Sequence, residues 1–457
     1  MFETIAELII KISDGIWGAP ILILLLGGGF YFLIYSHLAP LRYIGHALRI
    51  LTGKYDDPNE TGQLRHYQAL STALAGTVGM GNVSGVAVAI TMGGPGAIFW
   101  MWVSALLGVS TKFFTCSLAV MFRGKDSAGE VQGGPMYFIT EGLGKNWKPV
   151  AIFFSIVAMI GVSPLFQANQ LTQIIRDVVL VPNNIGGNFT SDLLTGMGIA
   201  SLVALVVIGG IKRIGKVTGS LVPTMIVVYT LTVFYIIFSN ASQILPAFQT
   251  IFEDAFTGDA VLGGSLGAVI ITGVRRAAFS NEAGLGTAPM AHGAAKTNEP
   301  IREGLVAMLG PIIDTIIVCT MTALAIIITN TWLESSADGI TLTAQAFDTA
   351  IPVYGKYILS VCVIFFSMST MFAFPYYGVK CLGFVAGAKY QHLYNYVFVI
   401  VVIVGAVSNL RLIIGLIDIS FALMAFPTVI CTILLSPHVK RAAKDYFARL
   451  KIEKMNR

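Results

Sequence analysis

Long apolar stretches alternate with short polar segments along nearly the whole chain. Each stretch has about 20 residues, the length that a helix needs to cross the hydrocarbon core of a bilayer. Eleven stretches of this kind lie at residues 17–36, 70–92, 96–121, 149–175, 193–211, 216–239, 260–293, 304–331, 357–385, 393–410 and 412–436. The pattern predicts an all-α integral membrane protein with eleven spans.

Composition indicates that lipid is the main solvent of this chain. Hydrophobic residues make up 55% of the 457 positions and charged residues only 12%, whereas soluble domains carry about 25% charged residues. The net charge of +5 does not indicate a nucleic-acid partner, because the basic residues are dispersed and concentrate near span ends. We therefore expect membrane lipid as a partner, no nucleic acid, and a location in a bacterial-type plasma or inner membrane.

The distribution of basic residues predicts the orientation. With the N-terminus outside, 22 of the 29 Lys and Arg residues fall in the inner loops and the C-terminal tail. Four remain outside, and these are Lys11, Arg176, Lys356 and Arg411. Because inner loops are enriched in basic residues, the chain is expected to run N-out and C-in, which requires an odd number of spans.

The N-terminal segment 1–16 does not have the features of a secretory signal. Acidic residues such as Glu3 and Glu7 replace the basic region that such a signal needs, and the helically spaced apolar residues predict an interfacial helix. The remaining expected units are an extra transmembrane helix with a cytoplasmic loop at 17–66, five-helix repeats at 67–240 and 241–436, and a basic cytoplasmic tail at 437–457.

Two of the spans are interrupted by glycines and polar residues, at 75–85 and at 275–286. Backbone groups freed inside a bilayer need partners, so a break is tolerated only where it faces protein or a watery cavity. Without the first span, the interrupted spans are the first and sixth of ten, and each opens a half of five helices. Five is odd, so the halves have opposite orientations. An inverted 5+5 repeat with broken first helices is the leucine-transporter arrangement, which binds a small solute at the breaks.

The first break carries groups for an anion and a cation. Free amides near Gly79, Gly81 and Asn82, at the start of a half-helix, suit a carboxylate. The carbonyls of Ala75 and Val78, released from helical partners, suit a hard monovalent cation.

In the second break, Phe279 offers an aromatic wall, and the carbonyls of Phe279 and Ser280 can accept from an ammonium group. The two breaks together suit a small zwitterionic amino acid. The alternative is that the glycines only allow helices to pack closely, since Gly81 and Gly85 form a G-x-x-x-G pattern.

Two further polar groups lie inside spans. Ser369 and Thr370 either bond back to their own helix or complete a cation site opposite Ala75 and Val78. Gln167 either contacts the substrate or joins neighbouring helices.

Three acidic residues lie within spans, where an ionisable group indicates function by default. Glu282 follows Arg275 and Arg276 within two helical turns, so a structural ion pair is at least as well supported. Asp314 and Asp418 either carry protons or pair with basic groups. None of the three lies in the segments of the expected cation site, which favours sodium over a proton.

Several long motifs resemble the sodium–alanine symporter family. They are GMGNVSGVA at 79–87, GGPGAIFWMW at 93–102, GGPMY at 133–137 and FSNEAGLG at 279–286, with shorter matches at 288–292, 314–315, 376–378 and 424–427. The resemblance implies a leucine-transporter fold with one added N-terminal helix, and sodium-driven uptake of a small neutral amino acid of the alanine or glycine class. Sodium is then the coupling ion, and no other cofactor is implied.

The resemblance also implies roles for individual residues. It places the substrate among Thr77, Gly79, Gln167, Phe279, Thr370 and Phe374. It places a sodium ion among Ala75, Val78, Ser369 and Thr370.

This chain departs from the family pattern at several positions. Phe374 replaces a tryptophan, Val379 a glutamate, Ser163 and Pro164 a glycine and an asparagine, Thr115 an acid and Thr428 an asparagine. A phenyl ring in place of an indole removes an N–H donor and enlarges the pocket. We therefore expect a substrate choice that differs from alanine.

Other functional classes remain as alternatives. The nearest is a proton-coupled amino-acid symporter, followed by a channel and by an amino-acid sensor without transport. A membrane enzyme is disfavoured, because the six histidines are dispersed along the sequence and no H-x-x-x-H motif or acid–histidine cluster appears in it.

Overall fold

The computed structural model of the chain describes residues 2–57, 59–208, 210–257, 266–334 and 337–455. The protein is all-helical, with 83% of its residues in helices, which confirms the predicted class. Within the described ranges the sheet structure is one hairpin, in which β1 (Gly124–Lys125) pairs antiparallel with β2 (Val131–Gln132).

Most helices of the first half of the chain overlap the predicted apolar stretches, and the others lie before or between them. They are α1 (Phe2–Ile16), α2 (Ala19–Leu22), α3 (Gly28–Tyr35), α4 (Ala39–Arg42), α5 (Ile44–Arg49), α6 (His66–Thr77), α7 (Met80–Gly93), α8 (Gly96–Met121), α9 (Pro135–Leu143), α10 (Lys148–Gly161), α11 (Leu165–Ile175), α12 (Phe189–Val207) and α13 (Gly210–Ser239).

The second half continues with shorter pieces and two long helices. They are α14 (Ile244–Thr257), α15 (Leu266–Asn281), α16 (Thr287–His292), α17 (Pro300–Ala307), α18 (Leu309–Pro311), α19 (Thr320–Ile328), α20 (Thr331–Glu334), α21 (Gly339–Ala350), α22 (Gly355–Ala386), α23 (Leu393–Val407) and α24 (Leu410–Met455). A π-helical segment, Ile312–Cys319, joins α18 to α19.

The eleven spans expected from sequence are not confirmed. In the described part of the chain, six helical stretches are long and apolar enough to cross a membrane, or nine if each of three bent pairs is one span. The stretch expected at 393–410 forms α23, which has 15 residues. The stretch expected at 260–293 begins in residues outside the described ranges and continues into α15 and α16. Six to nine spans make the chain an integral membrane protein.

Two arginines of α15 share one carboxylate on α24. Asp418 Oδ2 lies 2.5 Å from Arg276 Nη2 and 3.0 Å from Arg275 Nε, and the side chains of Arg276 and Asp418 are each 1% exposed. Arg275 also contacts Asp14 of α1 at 2.9 Å. The ion pair considered for Glu282 is therefore not the one formed, because α24 supplies a closer partner for both arginines.

The segments that precede α6 and follow α16 are joined through their backbones. Leu64 and Ala295 form a parallel bridge. Arg123, just beyond the end of α8, stabilises the contact between these two segments. Its guanidinium donates to the carbonyl oxygens of Thr61, Gly293, Ala295 and Thr297.

A buried carboxylate adds a second connection. Glu303 of α17 accepts from the Nδ1 of His292 at 2.5 Å and from the Nδ1 of His66. His66 begins α6 and His292 ends α16, so one carboxylate holds both helix ends. The expectation that the histidines form no cluster with acids is therefore wrong, because folding brings together residues that are far apart in sequence. We call the bridge, Arg123 and these three side chains the α6–α16 seam.

Candidate functional site

α6 and α7 are two halves of one broken helix, and their axes differ by 41°. α6 ends at Thr77, Val78 is extended with ψ of 95°, and α7 begins at Met80. A Cβ on Gly79 would lie 2.5 Å from Thr370 Oγ1, so only glycine permits this approach. The first predicted break is confirmed.

Some backbone N–H groups at the break are hydrogen-bonded within the break itself. The backbone N–H of Gly79 donates to the side-chain oxygen Oδ1 of Asn82 at 2.7 Å, and the backbone N–H of Asn82 donates to the Gly79 carbonyl at 3.1 Å. The expectation of free donors at Gly79 and Asn82 is therefore wrong, because Asn82 caps the start of α7. The amides of Met80 and Gly81 have no acceptor in the described part of the chain, so they are the donors left for a ligand.

The second predicted break is also confirmed. α15 ends at Asn281 and α16 begins at Thr287. Three residues between them have positive φ, which is 53° at Glu282, 86° at Gly284 and 95° at Gly286. The Glu282 carboxylate accepts from the Thr287 hydroxyl, so this acid stabilises the start of α16.

A buried polar cluster connects the two breaks. Asn82 Nδ2 donates to Asp314 Oδ1 at 2.7 Å and lies 3.2 Å from Ser280 Oγ, while Ser280 Oγ donates to Asp314 Oδ2 at 2.5 Å. All three side chains are buried. Asp314 is distant from both interrupted segments in sequence, but the π-helical segment places its carboxylate between them.

A narrow cavity of about 10 Å³ lies where the breaks face each other. It brings together six of the nine residues predicted to bind the substrate, namely Thr77, Gly81, Gln167, Phe279, Thr370 and Phe374. Gly79, Asn82 and Ser280 do not line it, because Asn82 and Ser280 bond to Asp314 and Gly79 packs against Thr370.

Sequence reasoning missed several lining residues. Phe421 and Ile417 of α24 reach the cavity, as does Glu282 from the second break. The Phe279 ring lies between Phe421, at 5.7 Å between ring centroids, and Phe166, at 4.7 Å. No local sequence pattern marks the residues of α24 as cavity-lining, because only tertiary packing brings them beside α15.

The four residues expected to hold sodium are only partly assembled. Thr370 Oγ1 lies 3.2 Å from the Ala75 carbonyl oxygen. The Val78 carbonyl has no hydrogen-bond donor in the described ranges. Ser369 instead donates back to Phe366 of its own helix at 3.0 Å. Thr370 also lies 3.1 Å from the Phe366 carbonyl oxygen. Ala75 and Thr370 are thus adjacent, while both hydroxyls show the bonding to their own helix that the sequence left as the alternative.

A third helix interruption borders the same cavity. α10 ends at Gly161 and α11 begins at Leu165, and both Ser163 and Gln167 line the cavity. Ser163 Oγ and Gln167 Oε1 are buried atoms without a hydrogen-bond partner, on side chains that are 7% and 6% exposed. Buried polar atoms are normally paired, so these two point to a polar ligand. The proline at 164 was the only sequence signal of this interruption.

Comparisons with known proteins identify the family of this chain. The family model of the sodium:alanine symporter family matches residues 2–457. An uncharacterised transporter of Haemophilus influenzae is 40% identical over 456 residues, covering 98% of each chain. The sodium/alanine symporter AgcS of Methanococcus maripaludis is 40% identical over 459 residues, covering 98% of this chain and 99% of the relative.

A more distant relative carries a different substrate in its name. The probable sodium/glutamine symporter GlnT of Bacillus subtilis is 32% identical over 454 residues, covering 99% of this chain and 93% of the relative. The full-length matches and the apolar helices decide the class. The chain belongs to the sodium:alanine symporter family and is a multi-pass transporter of the cell membrane, not an enzyme.

Proposed function

We propose that this chain couples sodium entry to the uptake of a small neutral amino acid of the alanine or glycine class by alternating access. The observation that carries the proposal is that two broken helices and the unpaired Gln167 oxygen meet around one enclosed cavity. A zwitterion needs donors for its carboxylate and an acceptor for its ammonium group, and this cavity offers both.

The amides of Met80 and Gly81 receive the substrate carboxylate. They begin α7, a helix of 14 residues, whose positive dipole end favours an anion without any arginine. Gln167 Oε1 accepts from the ammonium group. The rings of Phe279, Phe374 and Phe421 enclose the site, which restricts the side chain to a small one.

Sodium binds beside the substrate, at the end of α6. Its ligands are the carbonyls of Ala75 and Val78 with the hydroxyls of Thr370 and Ser369, once Ser369 turns away from Phe366. An ion at this place stabilises the extended conformation of Val78 and so orders the amides that hold the carboxylate. Sodium therefore raises substrate affinity, and the substrate raises sodium affinity by the same factor.

The fold proposed for this cycle is the leucine-transporter arrangement of eleven spans, N-out and C-in. Residues 67–240 and 241–436 form the two five-helix repeats, and 17–66 adds a helix and loop before them. The corresponding positions of the α6–α7 and α15–α16 breaks support this assignment. Residues 1–16 form the interfacial helix and 437–457 the cytoplasmic tail.

Release to the cytoplasm requires the α6–α16 seam to open. The seam holds the start of α6 against the end of α16, on the side that the basic residues assign to the cytoplasm. Rocking of one helix bundle against the other separates these ends and exposes the cavity.

The nearest alternative is proton coupling. Of the buried acids, Asp314 has the position that best suits a proton carrier. Its carboxylate lies between the two breaks, whereas Asp418 is held by Arg275 and Arg276. A sensor that binds an amino acid without transporting it is the second alternative.

A binding measurement tests the proposed site. The melting temperature of the purified chain is recorded with a panel of amino acids, in sodium chloride and in choline chloride. We expect small neutral amino acids to raise the melting temperature in sodium only, because a ligand stabilises the state that it binds. An equal rise in choline would exclude sodium coupling, and no rise with any small neutral amino acid would exclude the proposed substrate.

A further inference from the structure

We infer that Ser163 recognises a hydroxyl group on the side chain of the transported amino acid, so that the chain prefers L-serine to L-alanine. The inference rests on the proposed function and specifies its substrate.

Four serines in the described ranges have a buried hydroxyl without a partner, and Ser163 is the one of these that lines the cavity. Ser155, on the same helical span, donates to the Ala151 carbonyl at 2.8 Å, and Ser369 donates to Phe366 at 3.0 Å. Bonding of this kind to the preceding turn is the common arrangement for helical serines. Ser163 lies in the non-helical residues between α10 and α11, and its hydroxyl has no partner.

The Ser163 hydroxyl is buried, and Ser163 is one of the residues that line the cavity. A buried hydroxyl without a partner lowers stability relative to one that is bonded. The cavity residues on α24, Ile417 and Phe421, are apolar. A ligand hydroxyl that enters the cavity therefore supplies the missing partner.

Three other polar residues of the cavity already have a partner or a role. Thr77 donates to the Ala73 carbonyl at 3.3 Å, and Glu282 accepts from the Thr287 hydroxyl. Thr370 is a proposed sodium ligand.

The remaining polar groups are assigned to the backbone atoms of the substrate. The amides of Met80 and Gly81 hold the carboxylate, and Gln167 Oε1 holds the ammonium group. Ser163 is then the polar group left for the side chain. A site that hydrogen-bonds a substrate hydroxyl discriminates against the analogue that lacks it, because the protein's own polar group then stays unpaired.

Parallel uptake of labelled L-serine and L-alanine tests this assignment. The full chain is reconstituted in proteoliposomes with an inward sodium gradient, and kcat/KM is measured for each amino acid. We expect a serine-to-alanine ratio above one for the wild-type chain. Ser163→Ala should lower kcat/KM for serine roughly two- to tenfold, the effect of one hydrogen bond, and leave that for alanine unchanged.

Ser367→Ala is the matched control. Ser367 is another buried serine whose hydroxyl has no partner, and it does not line the cavity. The control should leave the serine-to-alanine ratio at its wild-type value. Ser163→Gly is a second variant without the hydroxyl, and melting temperatures establish which variants are folded.

Two results would overturn the inference while the proposed function stands. An unchanged ratio in both Ser163 variants would show that the hydroxyl does not contact the side chain. An equal loss for serine and alanine would place the hydroxyl against the ammonium or carboxylate group. If the wild-type chain accumulated neither amino acid, the proposed function itself would fail.

Discussion

The hydroxyl of Thr370 lies 3.2 Å from the carbonyl oxygen of Ala75 and joins α22 to the last turn of α6. This contact links the broken helix to the helix that carries Phe374, another cavity residue. It also places two of the proposed sodium ligands side by side.

Thr370→Val should weaken sodium coupling. Valine keeps the shape of threonine but removes the oxygen, so the site loses one ligand. We expect the sodium concentration for half-maximal uptake to rise about tenfold. This is the loss of affinity that corresponds to one missing contact to a charged group. The measurement is uptake as a function of sodium concentration.

Thr343→Val is the control for this variant. Thr343 is buried and donates to the Val83 carbonyl of α7 at 3.2 Å, away from the sodium ligands. Its sodium dependence should match the wild type. An unaltered sodium dependence in Thr370→Val would remove Thr370 from the ion site.

Gln167→Ala should abolish substrate binding without loss of expression. Its Oε1 has no protein partner, so truncation breaks no bond of that atom within the fold. We expect the melting temperature without ligand to be close to the wild-type value and the shift caused by substrate to disappear. Gln173→Ala, on the same helix, removes a contact to Thr341 and should retain the shift. Unchanged substrate affinity in Gln167→Ala would place Gln167 outside the pocket.

Phe374→Trp should narrow the substrate range toward alanine and glycine. The larger indole occupies space in a cavity that is already narrow. Uptake of an amino-acid series of increasing side-chain volume measures the range. If the variant and the wild type accept the same series, position 374 does not select the substrate.

Asp418→Asn should destabilise the fold. The change leaves the buried Arg276 without its carboxylate, whereas Arg275 keeps Asp14. An uncompensated buried charge lowers stability by about 3–5 kcal/mol. We expect a lower melting temperature and unchanged sodium dependence in the protein that remains folded. Asp14→Asn removes a carboxylate that is 62% exposed and should have little effect. Loss of coupling at an unchanged melting temperature would instead assign Asp418 to ion or proton transfer.

Glu303→Gln should loosen the α6–α16 seam. The neutral amide cannot accept from both His66 and His292 with the strength of a carboxylate. Cys116 is buried in contact with Ala288 and Ala307 of the same region, so its modification by a maleimide reports opening. We expect faster modification in Glu303→Gln.

Glu299→Gln provides the comparison for the seam. It removes an ion pair with Arg449, whose side chain is 66% exposed, and exposed pairs contribute little to stability. Cys116 should react in this variant as slowly as in the wild type. Equal rates in the two variants would show that Glu303 does not hold the seam closed.

The helices and the two breaks could be predicted from sequence because their causes are local. The length of the apolar stretches predicts the helices, and the glycines near Gly79 and Gly286 mark where two of the spans are interrupted. The capping of Gly79 by Asn82 was missed, although the two residues are only three apart, because free amides and a capped helix start have the same sequence pattern.

Contacts between distant segments could not be predicted in the same way. Asp314 lies 232 positions from Asn82, and Arg276 lies 142 positions from Asp418. Nothing in the local sequence pattern selects Asp418 as the partner of the arginines over Glu282, which is nearer to them in sequence. Ser163 departs from the family pattern in sequence, but its unpaired hydroxyl is visible only in the folded chain.

The most direct test of sodium-coupled uptake is the accumulation of labelled amino acids in proteoliposomes that contain the full chain. An inward sodium gradient and an inward proton gradient are imposed separately. We predict accumulation of a small neutral amino acid with the sodium gradient alone. Accumulation with the proton gradient alone would contradict sodium coupling and move the coupling role to Asp314, and binding without accumulation under either gradient would contradict transport.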